Sequence, residues 1–108
     1  MAKKTGHWFG GSGNAVVILR KTGQVLNNVL VENTTFSIET EDLGTRTFQT
    51  RRLKTVIFKN LPSYPTDMIR LLDGTELNGV IVDDPVTVST ADLGRIAIPK
   101  ANILSIIW

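Results

Sequence analysis

The residue best suited to acid–base chemistry near neutral pH is the single histidine, His7. It stands in a glycine-rich stretch, Gly6-His7-Trp8-Phe9-Gly10-Gly11. Nothing beside it would orient an imidazole or keep water away, so it reads as an exposed arm residue. Four acids, Asp73, Glu76, Asp83 and Asp84, could be imagined around a metal. Their spacing is not that of a calcium loop, and Asp73-Gly74 and Asp83-Asp84-Pro85 are turn sequences. Asp42 and Asp92 each head an Asp-Leu-Gly triplet and would tempt as a symmetric carboxylate pair, but closing the same hairpin twice accounts for both. There is no cysteine, hence no thiolate nucleophile, thiolate metal site or disulfide. Gly10 to Gly13 lacks the strand before and the helix after that a phosphate-binding loop needs, and no nucleophile elbow or dinucleotide fingerprint is present. These residues predict a protein that is not an enzyme and takes no cofactor, metal or small-molecule substrate.

The remaining chemistry is basic. Arg46, Arg51, Arg52, Lys54 and Lys59 fall close together, and Lys3, Lys4 and Trp8 precede them in the arm. Such a set could neutralise phosphates while an aromatic ring stacks on a base, although a solvated strand face has the same composition. The net charge is only +2, unevenly spread. Residues 1–62 carry nine Lys or Arg against four acids, and residues 63–108 carry three against six. That asymmetry suits an acidic partner, or two copies that meet positive half to negative half.

The elements that position these residues come from a duplication. The segment from Gly23 to Asn33, GQVLNNVLVEN, returns from Gly74 to Asp84 as GTELNGVIVDD. Thr40-Glu41-Asp42-Leu43-Gly44 returns as Thr90-Ala91-Asp92-Leu93-Gly94, and 53–58 returns as 103–108. Aligned this way, ten of thirty-four positions are identical, where average composition would give about two. The offset passes from 51 to 50, which places a one-residue deletion near Pro85.

Each copy reads as five short strands closed by turn residues. They cover 15–20, 25–31, 36–40, 45–50 and 53–58 in the first copy, and 68–72, 77–82, 86–90, 95–98 and 103–108 in the second. Residues 1–14 form a flexible arm, and 59–65, with two prolines, form a linker. No amphipathic helix is present; a single helical turn is expected at 63–68 or 100–102. The predicted fold class is all-β: two related five-stranded units, 15–58 and 66–108, arranged as a pseudo-twofold pair of small barrels or as a β-sandwich in one compact domain. The first and last strands are almost continuously apolar, which predicts burial on both faces and an interface at Trp108. No apolar run is long enough to span a bilayer and no signal-peptide core follows the basic start, so a cytoplasmic chain without membrane contact is expected.

The second copy resembles Sm-like proteins. Ile69-Arg70-Leu71-Leu72-Asp73-Gly74-Thr75-Glu76-Leu77-Asn78-Gly79-Val80 is similar to their first signature: a strand, an Asp-Gly turn, then a glycine in a bent second strand. Ile98-Pro99-Lys100-Ala101-Asn102-Ile103 is similar to the second signature, a short turn with Asn before an isoleucine-rich closing strand. The first copy fits more loosely, with Thr22-Gly23 at the turn and Asn28 in place of the glycine. Many small SH3-like barrels share part of this pattern. The resemblance implies a strongly bent five-stranded barrel that forms rings and often binds RNA, with Lys100 and Asn102 carried over as RNA contacts. The chain departs from the family after Asp83, where Asp84 and Pro85 stand instead of Asn, and before the closing strand, where Lys100-Ala101-Asn102 replaces Arg-Gly.

Two functions are therefore expected. The first is a non-enzymatic, self-associating assembly or binding module, with Ile103, Ile106 and Trp108 as its apolar contact and Arg51 and Arg52 facing Asp83 and Asp84 of a neighbour. The alternative is nucleic-acid (RNA) binding through the first copy and the arm, using Lys3, Lys4, Trp8, Arg46, Arg51, Arg52, Lys54, Lys100 and Asn102.

Overall fold

The computed structural model describes residues 14–60 and 64–108. His7, Lys3, Lys4 and Trp8 lie outside the described residues, as do most of the arm and the centre of the linker. The described residues are all-β, with ten strands: β1 (Ala15–Leu19), β2 (Val25–Val31), β3 (Thr35–Thr40), β4 (Gly44–Gln49), β5 (Leu53–Ile57), β6 (Asp67–Leu71), β7 (Glu76–Ile81), β8 (Val86–Thr90), β9 (Gly94–Ile98) and β10 (Ile103–Ile107). All ten expected strands are present within two residues. Single 3-10 turns precede β5 and β10, at Thr50–Arg52 and Lys100–Asn102. The second was one of the two places named for a helical turn, and the first is its counterpart. Over 63–68 no helical turn forms among the described residues: Tyr64 bridges Asn60 and β6 opens at Asp67. Among the described residues no helix is long and apolar enough to cross a membrane.

The strands form one antiparallel sheet that is not closed, in the order β4-β3-β7-β6-β5-β10-β1-β2-β8-β9. Exchanging every strand for its counterpart five places along the chain returns the same order reversed, so an internal twofold relation runs between β5 and β10. These two meet as Val56 opposite Ile106. The two copies do not occupy separate blocks. The β3–β4 hairpin leaves β2 of its own copy and pairs with β7, and the β8–β9 hairpin pairs with β2. Two crossing segments fix this exchange. Past β2, the Glu32 N–H reaches the Thr87 carbonyl (2.7 Å) and the Thr87 N–H reaches Asn33 Oδ1 (2.8 Å). Past β7, the Val82 N–H reaches the Ser37 carbonyl (3.1 Å) and the Ser37 N–H reaches Asp83 Oδ1 (2.7 Å). A side-chain oxygen thus supplies the acceptor where each ladder stops.

The registers relocate the length difference between the copies. Ala15 and Val17 face Val29 and Leu26, whereas Asp67 and Ile69 face Gly79 and Leu77. The first copy therefore holds one extra residue inside β2, not a change near Pro85. It is a bulge, marked by the φ of 55° at Asn28. The two hairpin tips are closed alike. The Thr40 hydroxyl accepts the Leu43 N–H (2.9 Å) and donates to the Gly44 carbonyl (2.8 Å). The Thr90 hydroxyl does the same with Leu93 (2.8 Å) and Gly94 (3.2 Å). Gly44 and Gly94 sit at φ 72° and 71°, a left-handed conformation that glycine adopts without a Cβ clash.

One face of the sheet curls around a single core that includes Phe36, Ile38, Val56, Phe58, Ile69 and Ile81. Each such side chain contributes about 1.5–3 kcal/mol relative to full exposure. Ile103 and Ile106 belong to this core, with no measurable exposure. They therefore present no surface to a second copy, contrary to the expectation. β10 lies sixth in the sheet, and its register shift against β1, where Ile18 faces Ser105 but Leu19 faces Ile103, lets both residues turn inward although they stand three apart. Trp108 is half-buried against the same core; its indole N–H is buried with no partner among the described residues.

Candidate functional site

Three places in the sheet concentrate polar groups. The first is the corner where β6, β7 and the 3-10 turn before β10 meet. Asp67 opens β6 with its side chain turned inward, 4% exposed. Its Oδ1 accepts the Lys59 N–H (2.7 Å) and its Oδ2 accepts the Ile81 N–H (2.8 Å). The Lys100 ammonium completes the shell at 2.9 Å from Oδ2 and also donates to the Ile81 carbonyl (2.7 Å). A carboxylate removed from water needs such partners on both oxygens. Nearby, the Arg20 guanidinium donates to the carbonyls of Lys59 (2.6 Å) and Ile103 (3.2 Å). The open groove here sets Arg20, Lys59 and Lys100 against Asp67 and Asp84, and two of its cations already serve the protein. Lys100 is held inside the chain, not displayed to phosphate. Asn102 is similarly engaged, accepting the Lys21 N–H at 3.3 Å.

The second place is the exposed turn before β5. Arg51 and Arg52 share it, with Lys54 just beyond and Arg46 on β4. Arg52 lies over the Phe48 ring, 5.7 Å from its centroid, a cation–π arrangement. The Arg51 Nε donates to Gln49 Oε1 (2.7 Å), and the Lys54 ammonium contacts the Trp108 carbonyl (3.4 Å). Arg52 also stands near Asp73. The Asp73 carboxyl is held below its ordinary range first by the Thr75 N–H and then by the Thr75 hydroxyl, with Arg52 adding to the effect. Asp83 and Asp84, expected to meet these arginines from a neighbour, each spend one oxygen on backbone, Asp83 on Ser37 and Asp84 on the Lys100 N–H (2.9 Å).

Strand exchange also redistributes charge. Cutting the chain between residues 33 and 34 and between 82 and 83 separates the two runs of five strands. The run holding β3 to β7 carries six cations (Arg46, Arg51, Arg52, Lys54, Lys59, Arg70) and six acids (Glu39, Glu41, Asp42, Asp67, Asp73, Glu76). Among the described residues the other run carries Arg20, Lys21, Arg95 and Lys100 against Glu32, Asp83, Asp84 and Asp92. Among the described residues each spatial half is neutral on this division, so the unequal charge of the two copies is evened out across the sheet.

The third place is the pair of sheet ends. Among the described residues no strand lies on the far side of β4 or of β9. At the β9 end, Glu32 ties the hairpin to β2 through Arg95 (2.9 Å) and the Ser89 hydroxyl. The Ser89 bond, then the bond from Arg95, hold the Glu32 carboxyl below the ordinary carboxylate range. Among the described residues no group of three or more His, Asp or Glu is placed to hold a metal. The sequence reading missed Asp67. The signal was an acid opening an apolar strand at the place where the first copy has Ala15. No protein-family model, curated protein or solved structure gives a significant match to this chain.

Proposed function

We propose that the chain is a non-enzymatic, self-associating assembly or binding module built on a duplicated small β-barrel. The observation that carries this reading is the open sheet: every interior strand is paired on both sides, and the two end strands, β4 and β9, each leave one side without a partner among the described residues. Free strand edges are templates for another strand. The palindromic strand order supports two curled units about a twofold axis, each assembled from strands of both copies. The half-buried Trp108 with its unpaired indole N–H is a second contact of the kind that interfaces use. A cytoplasmic setting fits the absence of cysteine.

Nucleic-acid binding is the second reading, favoured by one observation: Arg51 and Arg52 stand exposed on a single turn with Lys54 following. Size-exclusion chromatography with light scattering and a 260/280 nm absorbance ratio separates the two. A defined oligomer with a protein spectrum supports assembly. A monomer carrying nucleic acid that dissociates in high salt, and that the double substitution Arg51→Glu, Arg52→Glu abolishes, replaces it with the second reading.

A further inference from the structure

Resting on the self-association reading, we propose that a second copy of this chain docks on β4, strand to strand about a twofold axis at Thr47, while β9 stays free. The direction of the backbone groups decides between the two edges. Ser37 spends its N–H on Asp83 (2.7 Å) and its carbonyl on Val82 (3.1 Å), so its backbone faces β7. Its ladder partner Thr47 therefore turns N–H and C=O away from β3, and by the period of two so do Thr45 and Gln49. Thr87 likewise spends its groups on Asn33 (2.8 Å) and Glu32 (2.7 Å), so its partner Ala97, and with it Arg95, faces outward from β9.

The two edges then differ in chemistry. The outward row of β4 is Thr45, Thr47 and Gln49: uncharged, exposed, and complete in donors. On β9 the row is Arg95 and Ala97, and the next outward position is Pro99, which has no N–H. A charge and a proline are the devices that blunt an edge. Pairing β4 with β4 about Thr47 sets Thr45 opposite the partner's Gln49. On the core-side face it sets Arg46 opposite the partner's Phe48, twice by symmetry. The pairing consumes β4 on both copies and ends at a dimer.

Because the chain has no cysteine, single cysteines report the pairing directly. Hydrogen-bonded partners in an antiparallel ladder stand about 5.5 Å apart at Cα, within disulfide reach. Thr47→Cys is expected to give a covalent dimer under mild oxidation at low protein concentration, and Ala97→Cys to stay monomeric on a non-reducing gel. Thr47→Pro is expected to halve the light-scattering mass, and Ala97→Pro to leave it unchanged, with circular dichroism reporting the fold. If Thr47→Pro fails to fold, the cysteine pair decides. A monomeric wild-type protein overturns both this inference and the self-association reading. An oligomer that survives Thr47→Pro, or that cross-links through Ala97→Cys and not Thr47→Cys, overturns β4 alone and leaves self-association standing.

Discussion

The corner at Asp67 and its counterpart at Ala15 occupy equivalent places in the sheet: Ala15 faces Val29 as Asp67 faces Gly79. One is filled by an ion pair and the other by a methyl group. Where the second copy sets Lys100, the first sets Thr50, whose hydroxyl stays local and donates to the Asn33 carbonyl at 2.5 Å. The difference follows the connections. Asp67 accepts the N–H of Lys59, the residue that leads from β5 into β6, and this connection has no counterpart at the other corner. A duplicated fold can thus keep its ladders while each copy satisfies its own loose backbone groups with different chemistry.

The sharpest way to break the comparison is to remove one partner. Asp67→Ala leaves two N–H groups without an acceptor and the Lys100 ammonium without its counter-charge, holding only the Ile81 carbonyl. Breaking a buried pair costs about 3–5 kcal/mol, and the lower figure is expected because the Lys100 side chain keeps 24% of its surface in water. Urea denaturation measures it. Adding Lys100→Thr reproduces the Ala15 and Thr50 solution and should recover part of the loss; a double variant no better than the single would show that the two corners are not interchangeable.

A smaller effect is expected one strand over. A Cβ on Gly79 would lie 2.0 Å from the Glu39 carbonyl oxygen, a backbone atom with nowhere to go. Gly79→Ala should destabilise by about 1–3 kcal/mol, the usual range for overpacking. Its counterpart Val29 carries a full side chain into the core, because the bulge at Asn28 shifts the strand. Deleting Asn28 should therefore make Val29 as intolerant as position 79, which a thermal melt of the deletion and of its Val29→Gly derivative would show.

The smallest expected effect concerns Glu32, whose counterpart is the exposed Val82. Its folded pKa lies below the ordinary value because of Ser89 and Arg95. The depressed direction means that its contribution is present above the unfolded carboxylate pKa, about 4.3, and is lost as pH falls through the folded value. Glu32→Gln should be slightly less stable than the wild type at neutral pH, and the gap should close in acid. A gap that widens in acid would refute the assignment.

The ten strands and the Asp-Leu-Gly tips were legible because alternation and turn residues act within a few positions of the chain. The partnership of β3 with β7 was not. A pattern of apolar and polar residues says which face of a strand is buried but does not name its neighbour. Ile103 and Ile106 misled for the same reason: an apolar run reads alike in a core and at an interface. Lys100 and Asn102 looked available for RNA because nothing local showed that Asp67 and Lys21 would claim them. Arg51 and Arg52 stand exposed, the usual place of a charged side chain whatever its role.

The exchange of hairpins has a consequence for the order of events in synthesis. Val16 in the first strand pairs with Ile107 in the last, and Ile38 waits for Ile81. The first copy emerges from the ribosome with β1, β2, β3 and β5 lacking at least one neighbour that the second copy must supply. Pairings of such long sequence separation form slowly and leave apolar strands exposed in the interval. A nascent first copy can also meet the second copy of another chain, so slow elongation and crowded polysomes would favour intertwined dimers over the sheet formed within one chain.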